Sequence, residues 1–116
     1  MVAVIFEVYP AKKGKAEYLA IAAKLREFLK GPGFISIERF QSLSDENKVL
    51  SLSFWESEEA VQAWRNQLEH RSAQQRGKQE LFEKYRIRIA QVVRDYTSAD
   101  RDQAPPDSNS ALGCNH

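Results

Sequence analysis

The stretch VLSLSFWESEEAVQAWRNQLEHRSAQQ, residues 49–75, changes its hydrophobic period partway along. Its first part, residues 49–55, is short and rich in residue types that favour β-strands. After this part the apolar side chains recur at helical spacing, at Val61, Trp64 and Leu68. The stretch therefore predicts a strand that leads directly into a helix with one apolar face.

Three residues mark the start of the predicted helix. Ser57 fits the N-cap position, and Glu58 and Glu59 place carboxylates in the first turn, where they interact favourably with the helix dipole. The helical pattern extends to about Lys84. It allows either one helix or two pieces that meet near residues 66–67.

The flanking segments complete the fold. Residues 2–9, VAVIFEVY, predict a first strand, and residues 13–30 have the apolar spacing of a helix. FISIERFQSL, residues 34–43, forms a predicted hairpin with residues 49–55, and YRIRIAQVVRDY, residues 85–96, alternates as a fourth strand. The order βαββαβ predicts a ferredoxin-like α+β fold, with a four-stranded antiparallel sheet and both helices on one face.

The predicted strands carry apolar residues on both faces. Alternation in the first strand separates two apolar sets: Val2, Val4, Phe6 and Val8 on one face, and Ala3, Ile5 and Tyr9 on the other. Two helices cover only one face of a four-stranded sheet, and a large apolar face left in water usually marks an interface. We therefore expect a homodimer in which two sheets pack face to face.

Length and composition limit the classes of function. The 116 residues suit one domain, and 17 basic against 16 acidic residues give no electrostatic reason to expect nucleic acid or an anionic membrane as partner. No apolar run approaches the roughly 20 residues that span a bilayer, and the first residues lack the pattern of a signal peptide. A single cysteine, Cys114, has no partner for an internal disulfide, which fits a reducing cytoplasm.

The predicted domain occupies residues 1–96. Beyond it, residues 97–116 are polar, contain proline and show no hydrophobic period. We expect this tail to be poorly ordered. The sequence contains no metal-ligand spacing and no phosphate-binding glycine loop.

Four segments together resemble the antibiotic biosynthesis monooxygenase (ABM) domain family: AVIFEVYPAKKGKAEYLAIAAKLR, GFISIERFQSL, LSLSFWESEEAVQAWRNQLEHRSAQQRGK and YRIRIAQVVRDY. The resemblance covers about residues 2–96 and is most specific in FWESEEAVQAW, followed by EHR and AQ. It implies a dimeric α/β barrel, in agreement with the dimer expected from the strands. It also implies more than one activity, because some relatives are cofactor-free oxygenases that convert phenols or hydroquinones to quinones, and others break down haem.

The residues that haem-degrading relatives use are only partly matched. The resemblance equates their tryptophan with Trp64, their first-strand asparagine with Glu7, and their proximal histidine, ten residues after the tryptophan, with Gln74. A glutamine amide is a poor iron ligand, and His70 lies a full helical turn away. Haem degradation is therefore disfavoured, and we expect no cofactor, with molecular oxygen as co-substrate.

The favoured activity is a cofactor-independent monooxygenase that oxidises a small aromatic substrate of phenol or hydroquinone type with O2. Trp64 offers such a substrate a flat wall and an indole N–H, with core packing as the alternative. Phe54 and Tyr85 complete the predicted aromatic slot. Asn66 and Arg88 are the predicted donors to the developing oxyanion, and Asn66 also fits a helix cap.

Glu7 is one of two candidates for the base that removes the phenolic proton. It interrupts an apolar strand, where carboxylates are scarce and seldom buried unless paired. One interpretation is a general base inside the pocket, with Arg39 and Arg88 as partners for it or for an anionic substrate oxygen. The other is an ion pair with Arg39, Arg86 or Arg88 of the neighbouring strands.

His70 is the second candidate base, since histidine can act as a base near neutral pH. It follows Trp64 by six positions, so it reaches the same pocket only if the helix breaks near Asn66. An exposed or capping histidine is the alternative.

The alternative function is a non-catalytic dimeric barrel that binds a small hydrophobic ligand in a stress or accessory role. It predicts a pocket without a buried titratable group. The environment of Glu7 separates the two hypotheses, because a cavity beside Trp64 favours catalysis and neutralisation by an arginine favours a structural role.

Overall fold

A computed structural model describes residues 1–10, 23, 31–75 and 82–111 of the chain. Its elements are strand β1 (Val2–Pro10), strand β2 (Phe34–Gln41), strand β3 (Val49–Trp55), helix α1 (Glu58–Gln75), strand β4 (Phe82–Gln91) and the short helix α2 (Pro106–Ala111). The helix predicted over residues 13–30 lies almost entirely outside the described residues. None of the helices in the described part of the chain combines the length and apolar character that a membrane crossing requires.

The four strands form one antiparallel sheet in the order β2-β3-β1-β4. In the central strand β1, Val4 pairs with Ser53 of β3 on one side and with Ile89 of β4 on the other. β2 and β3 form the predicted hairpin, in which Ile37 pairs with Ser53. This strand order, with a helix between β3 and β4, confirms the predicted ferredoxin-like α+β fold.

Two element boundaries differ from those that the sequence predicts. α1 is described as far as Gln75, and residues 82–84, which the sequence assigns to the helical pattern, belong to β4. Backbone pairing between Pro10 and Phe82 extends β4 beyond its alternating sequence pattern. α1 is also continuous through residues 66–67, so it is one helix and not two pieces.

The hydrophobic core lies between α1 and one face of the sheet, which we call the helix-side face. Alternate residues of β1 are buried there: Val2, Val4, Phe6, Val8 and Pro10. Val61 and Trp64 of α1 pack against them. The indole N–H of Trp55 donates to Ser53 Oγ at 2.8 Å, so the polar atoms of this buried pair are satisfied inside the core.

The close contact between the start of β2 and the first turn of α1 depends on Gly33. This residue has a φ of 90°, a conformation that residues with a side chain rarely adopt. Its carbonyl accepts a 2.7 Å hydrogen bond from the Glu56 amide. A Cβ added to Gly33 would lie 2.7 Å from Cβ of Ala60. Glycine therefore allows the start of β2 to approach the first turn of α1.

The other face of the sheet, which we call the outer face, has an apolar centre and charged edges. Its residues on the two central strands are Ala3, Ile5, Glu7 and Tyr9 of β1 and Leu50, Leu52 and Phe54 of β3. On the edge strands, Arg86 and Arg88 of β4 and Glu38 of β2 are exposed. An apolar centre with a polar rim is the usual composition of a protein interface.

Residues 92–111 form a segment that is held together by Arg101. Its guanidinium donates to Asn109 Oδ1 at 3.0 Å and to Ser108 Oγ at 2.8 Å, and it lies 4.8 Å above the ring centroid of Tyr96. The two hydrogen bonds lie within residues 97–116, for which the composition predicts poor order.

Candidate active site

Aromatic side chains meet on the helix-side face and form what we call the aromatic cluster: Phe6, Phe34, Trp55, Trp64 and Tyr85. Phe6 is central, with its ring centroid 6.1 Å from that of Trp64 and 5.9 Å from that of Tyr85, both in edge-to-face geometry. Trp55 links Trp64 at 6.4 Å to Phe34 at 5.2 Å. These distances and angles are typical of favourable aromatic contacts.

The sheet register and the start of α1 position the cluster. Tyr85 pairs with Val8, and Phe6 lies two residues further along the same face of β1. Ser57 caps α1 as predicted, with its Oγ accepting a backbone N–H of the first turn at 3.3 Å. Trp64 follows on the buried side of the helix and meets Phe6. The sequence therefore fixes both walls of the cluster through local rules.

Exposure rises along the cluster towards Tyr85. Trp55 and Trp64 are 1% and 4% exposed, whereas Tyr85 is 42% exposed. A surface pocket of about 230 Å³ beside Tyr85 is lined by Glu7, Tyr9, Lys84, Tyr85 and Arg86. This mixture of aromatic and charged side chains suits a flat ligand that carries a few polar atoms.

The structure brings two of the predicted slot residues, Trp64 and Tyr85, together through a third ring. Phe6 contacts both, and the sequence interpretation did not single it out. Its alternation with Glu7 along β1 is the signal that could have identified it, because the two residues must face opposite ways.

Glu7 projects from the outer face, away from the aromatic cluster. Its Oε1 lies 3.3 Å from Nη1 of Arg88, and its Oε2 lies 3.7 Å from Nζ of Lys48. Its neighbour Phe6 points to the helix side because successive strand residues alternate between faces. Glu7 therefore has the ion-pair environment, and it does not share a pocket with Trp64.

Arg88 and Phe54, predicted as a donor and a wall of the same slot, also lie on the outer face. Arg88 is paired with Ile5 and Phe54 with Ala3 of β1. A surface pocket of about 360 Å³ on this face is lined by Glu7, Phe40, Gln41, Ser42, Lys48 and Leu50. The sheet thus places Trp64 on one face and Phe54 and Arg88 on the other, while Tyr85 also lines a surface pocket with Glu7. This arrangement corrects the single pocket expected from the sequence.

Helical geometry separates the remaining predicted residues from the cluster. Asn66 is exposed, about 200° around the helix from Trp64, and the unbroken helix gives it no second piece to cap. His70 lies in the same continuous helix, about 240° around from Trp64. The side chain of His70 lies outside the described residues.

Arg39 of β2 lies on the helix-side face and therefore does not pair with Glu7. It is opposite Ser51, and this row of the sheet continues to Phe6 of β1. Ile37, two residues before Arg39 on the same face, packs against the core. Within the described residues, Nε of Arg39 is a buried nitrogen with no hydrogen-bond partner. The alternation of side chains between the two faces of β2, FISIERFQ, was the sequence signal that places Arg39 on the same face as Ile37.

These features define a small ferredoxin-like domain with an aromatic site between its sheet and a helix. Residues 1–76 match the model of the antibiotic biosynthesis monooxygenase family, and the chain belongs to that family. The jasmonate monooxygenase ABM of Pyricularia oryzae is 42% identical over 94 residues, which are 80% of this chain and 44% of that protein. The chain thus spans less than half the length of this relative.

Solved structures share the fold at low sequence identity. SnoaB, a cofactor-independent oxygenase from Streptomyces nogalater, matches with a TM-score of 0.63 at 16% identity, over 81% of this chain and 94% of that chain. The haem degrader MhuD of Mycobacterium tuberculosis, with two haems bound, matches with a TM-score of 0.58 at 22% identity, over 84% of this chain and 100% of that chain. Likeness at these identities shows the fold and leaves the activity open.

The residues of this chain do not fit the haem-binding set that the family resemblance implies. The β1 side chain that faces Trp64 is Phe6, which has no polar atom, and Glu7 points to the outer face. Position 74, ten residues after Trp64, is glutamine, a poor ligand for haem iron. In the described ranges, no group of three or more His, Cys, Asp or Glu side chains is placed to hold a metal ion.

Proposed function

We propose that the chain is a cofactor-independent monooxygenase that oxidises a small aromatic substrate with O2. The main observation behind the proposal is the aromatic cluster, in which the rings of Trp64 and Tyr85 both contact Phe6. Tyr85 is the more exposed of the two. A flat phenol or hydroquinone matches this surface in shape and polarity. Family membership and the fold shared with a cofactor-independent oxygenase support the same reaction class.

The proposed reaction requires little chemistry from the protein. Loss of the phenolic proton gives an electron-rich anion, which passes one electron to O2. The two radicals combine at a hydrogen-bearing carbon para to the phenolic oxygen, and the resulting hydroperoxide loses water, which takes that hydrogen, to give the quinone. One atom of O2 ends in the product and the other in water, and the substrate supplies all four electrons. The protein must hold the ring in a dry site and stabilise negative charge.

Of the two candidate bases, Glu7 is the less suitable. The sheet separates it from the aromatic cluster, and Arg88 and Lys48 balance its charge. We assign Glu7 to an outer-face ion pair. Because α1 is unbroken near Asn66, His70 does not meet the condition for reaching the pocket at Trp64 either. A substrate that arrives as its anion needs no base at all.

We also propose that two copies pair through their outer faces to form an α/β barrel. Ile5, Leu50 and Leu52 supply an apolar centre, and the charged edge strands supply the rim. Pairing would bury the Glu7–Arg88 ion pair further. The single cysteine and the absence of any disulfide partner for it support a reducing cytoplasm.

A jasmonate-like cyclic acid is the second candidate substrate, favoured by the 42% identity to the jasmonate monooxygenase. Insertion of one oxygen atom into a saturated C–H bond consumes O2, two protons and two electrons and yields an alcohol and water. The substrate does not supply those electrons, so this reaction depends on an added reductant such as NADH. The quinone-forming reaction does not.

Oxygen uptake tests the proposal and separates the two substrates. The purified protein is assayed with 1-naphthol, a dihydroxynaphthalene and jasmonic acid, each with and without NADH, and with heat-denatured protein as the control for autoxidation. We expect uptake with a phenolic substrate without NADH, and a marked loss of uptake in Trp64→Phe. Uptake only with jasmonic acid and NADH would favour the second candidate. No uptake with any compound would overturn both and favour a non-catalytic ligand-binding barrel.

A further inference from the structure

We infer that Arg39 is the anion-binding residue of the helix-side site and that it selects substrates carrying a carboxylate. The inference rests on the proposed function, because it names the chemical class of substrate for the same site. Three features of Arg39 support the inference: its position on the sheet, its Nε without a hydrogen-bond partner, and the donor geometry of its guanidinium.

The position of Arg39 places a positive charge beside the aromatic cluster. Arg39, Ser51 and Phe6 form one row across β2, β3 and β1 on the helix-side face. Neighbouring strands lie about 4.8 Å apart, so the Cα atoms of Arg39 and Phe6 are separated by about 10 Å. The polar end of a ligand that binds on this face of the sheet can therefore reach the Arg39 guanidinium.

Arg39 differs in its partners from Arg88 and Arg65, whereas Arg86, like Arg39, has no salt bridge among the described residues. Arg88 and Arg65 have carboxylates nearby, Glu7 and Glu58 respectively. Within the described residues, no carboxylate forms a salt bridge with Arg39, and its buried Nε lacks an acceptor. A buried donor without an acceptor destabilises the folded protein whether or not a ligand is bound. A ligand that supplies the acceptor therefore gains a hydrogen bond without a further desolvation penalty at Nε.

The geometry of the guanidinium favours a carboxylate over a single oxygen. Nε and one terminal nitrogen of arginine form a pair of parallel donors that matches the two oxygens of a carboxylate. A phenolate has one oxygen and satisfies the pair less completely. The predicted ligand is thus a flat or cyclic apolar body with a carboxylate at one end.

Ligand affinity under nitrogen tests the inference without any turnover. Binding of 1-naphthoic acid and of its methyl ester is measured by quenching of tryptophan fluorescence, since both tryptophans of the chain, Trp55 and Trp64, lie in the cluster. The variants are Arg39→Gln, Arg39→Lys and the matched control Arg86→Gln, which removes an exposed guanidinium from the outer face. Circular dichroism and thermal unfolding confirm that each variant is folded.

We expect the wild-type protein to bind the acid more tightly than the ester. Arg39→Gln weakens binding of the acid by about 10- to 100-fold and leaves binding of the ester unchanged. The affinity of Arg39→Lys for the acid should lie between those of wild type and Arg39→Gln, because lysine keeps the charge without the parallel donors. Arg86→Gln should bind both compounds as wild type does. Equal wild-type affinity for acid and ester, or equal acid affinity of Arg39→Gln and wild type, would overturn the inference. Because binding is measured without oxygen, failure of the oxygenase assay does not affect this result.

Discussion

Glu7 and Trp64 lie on opposite faces of one sheet. Glu7 is held on the outer face by Arg88, with 3.3 Å between Oε1 and Nη1, while the residue before it, Phe6, contacts Trp64 on the helix side. Strand alternation therefore separates the charged group at the centre of the outer face from the aromatic cluster. This separation decides which residues can act on one substrate.

The first prediction concerns the role of Glu7. In Glu7→Gln we expect kcat to stay within about twofold of wild type and the free energy of unfolding of the separate protomer to fall by about 1 kcal/mol or less, because in one protomer the partners Lys48 and Arg88 are 31% and 49% exposed and solvent screens the pair. Steady-state kinetics and denaturant unfolding measure the two effects. A drop of 100-fold or more in kcat in a folded Glu7→Gln protein would instead identify Glu7 as the base.

The second prediction concerns the outer face. Leu52→Lys places a charge at its apolar centre, and we expect it to convert a dimer to a monomer in sedimentation velocity, because burying an unpaired charge is strongly unfavourable. Gln62→Lys is the matched control, since Gln62 is exposed on α1. A wild-type protein that sediments as a monomer at micromolar concentration would contradict the proposed barrel.

The third prediction tests the approach of β2 to α1. Gly33→Ala should lower the free energy of unfolding by about 1–3 kcal/mol, because alanine is strained at a positive φ, and the new Cβ meets Cβ of Ala60 at 2.7 Å. Gly31→Ala is the control, since an added Cβ there has nothing within 4 Å. Urea unfolding of both proteins gives the comparison. Equal stability of the two variants would refute the argument for Gly33.

The fourth prediction separates the two tryptophans. Trp64→Phe should raise KM about fivefold or more with a smaller change in stability. The reason is that Trp64 contacts Phe6, which in turn contacts the exposed Tyr85. Trp55→Phe removes the N–H that donates to Ser53 Oγ, so it should lower stability and leave KM close to wild type. Kinetics and thermal unfolding of both variants distinguish these outcomes. The reverse pattern would move the substrate site to the Trp55 end.

Local rules in the sequence predicted most of the fold. The change of hydrophobic period after residue 55, the Ser57 cap and the alternation of β1 are all confirmed. The start of β4 was predicted too late in the sequence, because backbone pairing of Pro10 with Phe82 extends the strand in a way that no side-chain pattern records. The turns around Arg101 escaped prediction for a similar reason, since they depend on particular hydrogen bonds.

The candidate site was predicted less completely than the fold. Trp64 and Tyr85 come together as expected, but Glu7, Arg88 and Phe54 lie on the other face. Residue type indicated which side chains have useful chemistry, and only the register shows which of them share a face. Arg39 was named as a possible partner for a substrate anion, but its missing acceptor could not be predicted, because it is a property of the folded surroundings.

Isotope labelling tests the central claim most directly. The protein is incubated with the phenolic substrate under ¹⁸O₂ in ordinary water, without reductant, and the product is analysed by mass spectrometry soon after mixing. A single ¹⁸O atom in the quinone, formed by wild type and strongly reduced in Trp64→Phe, is the result that a cofactor-independent monooxygenase at the aromatic cluster predicts. Product without ¹⁸O, or label that appears only when NADH is added, would contradict it.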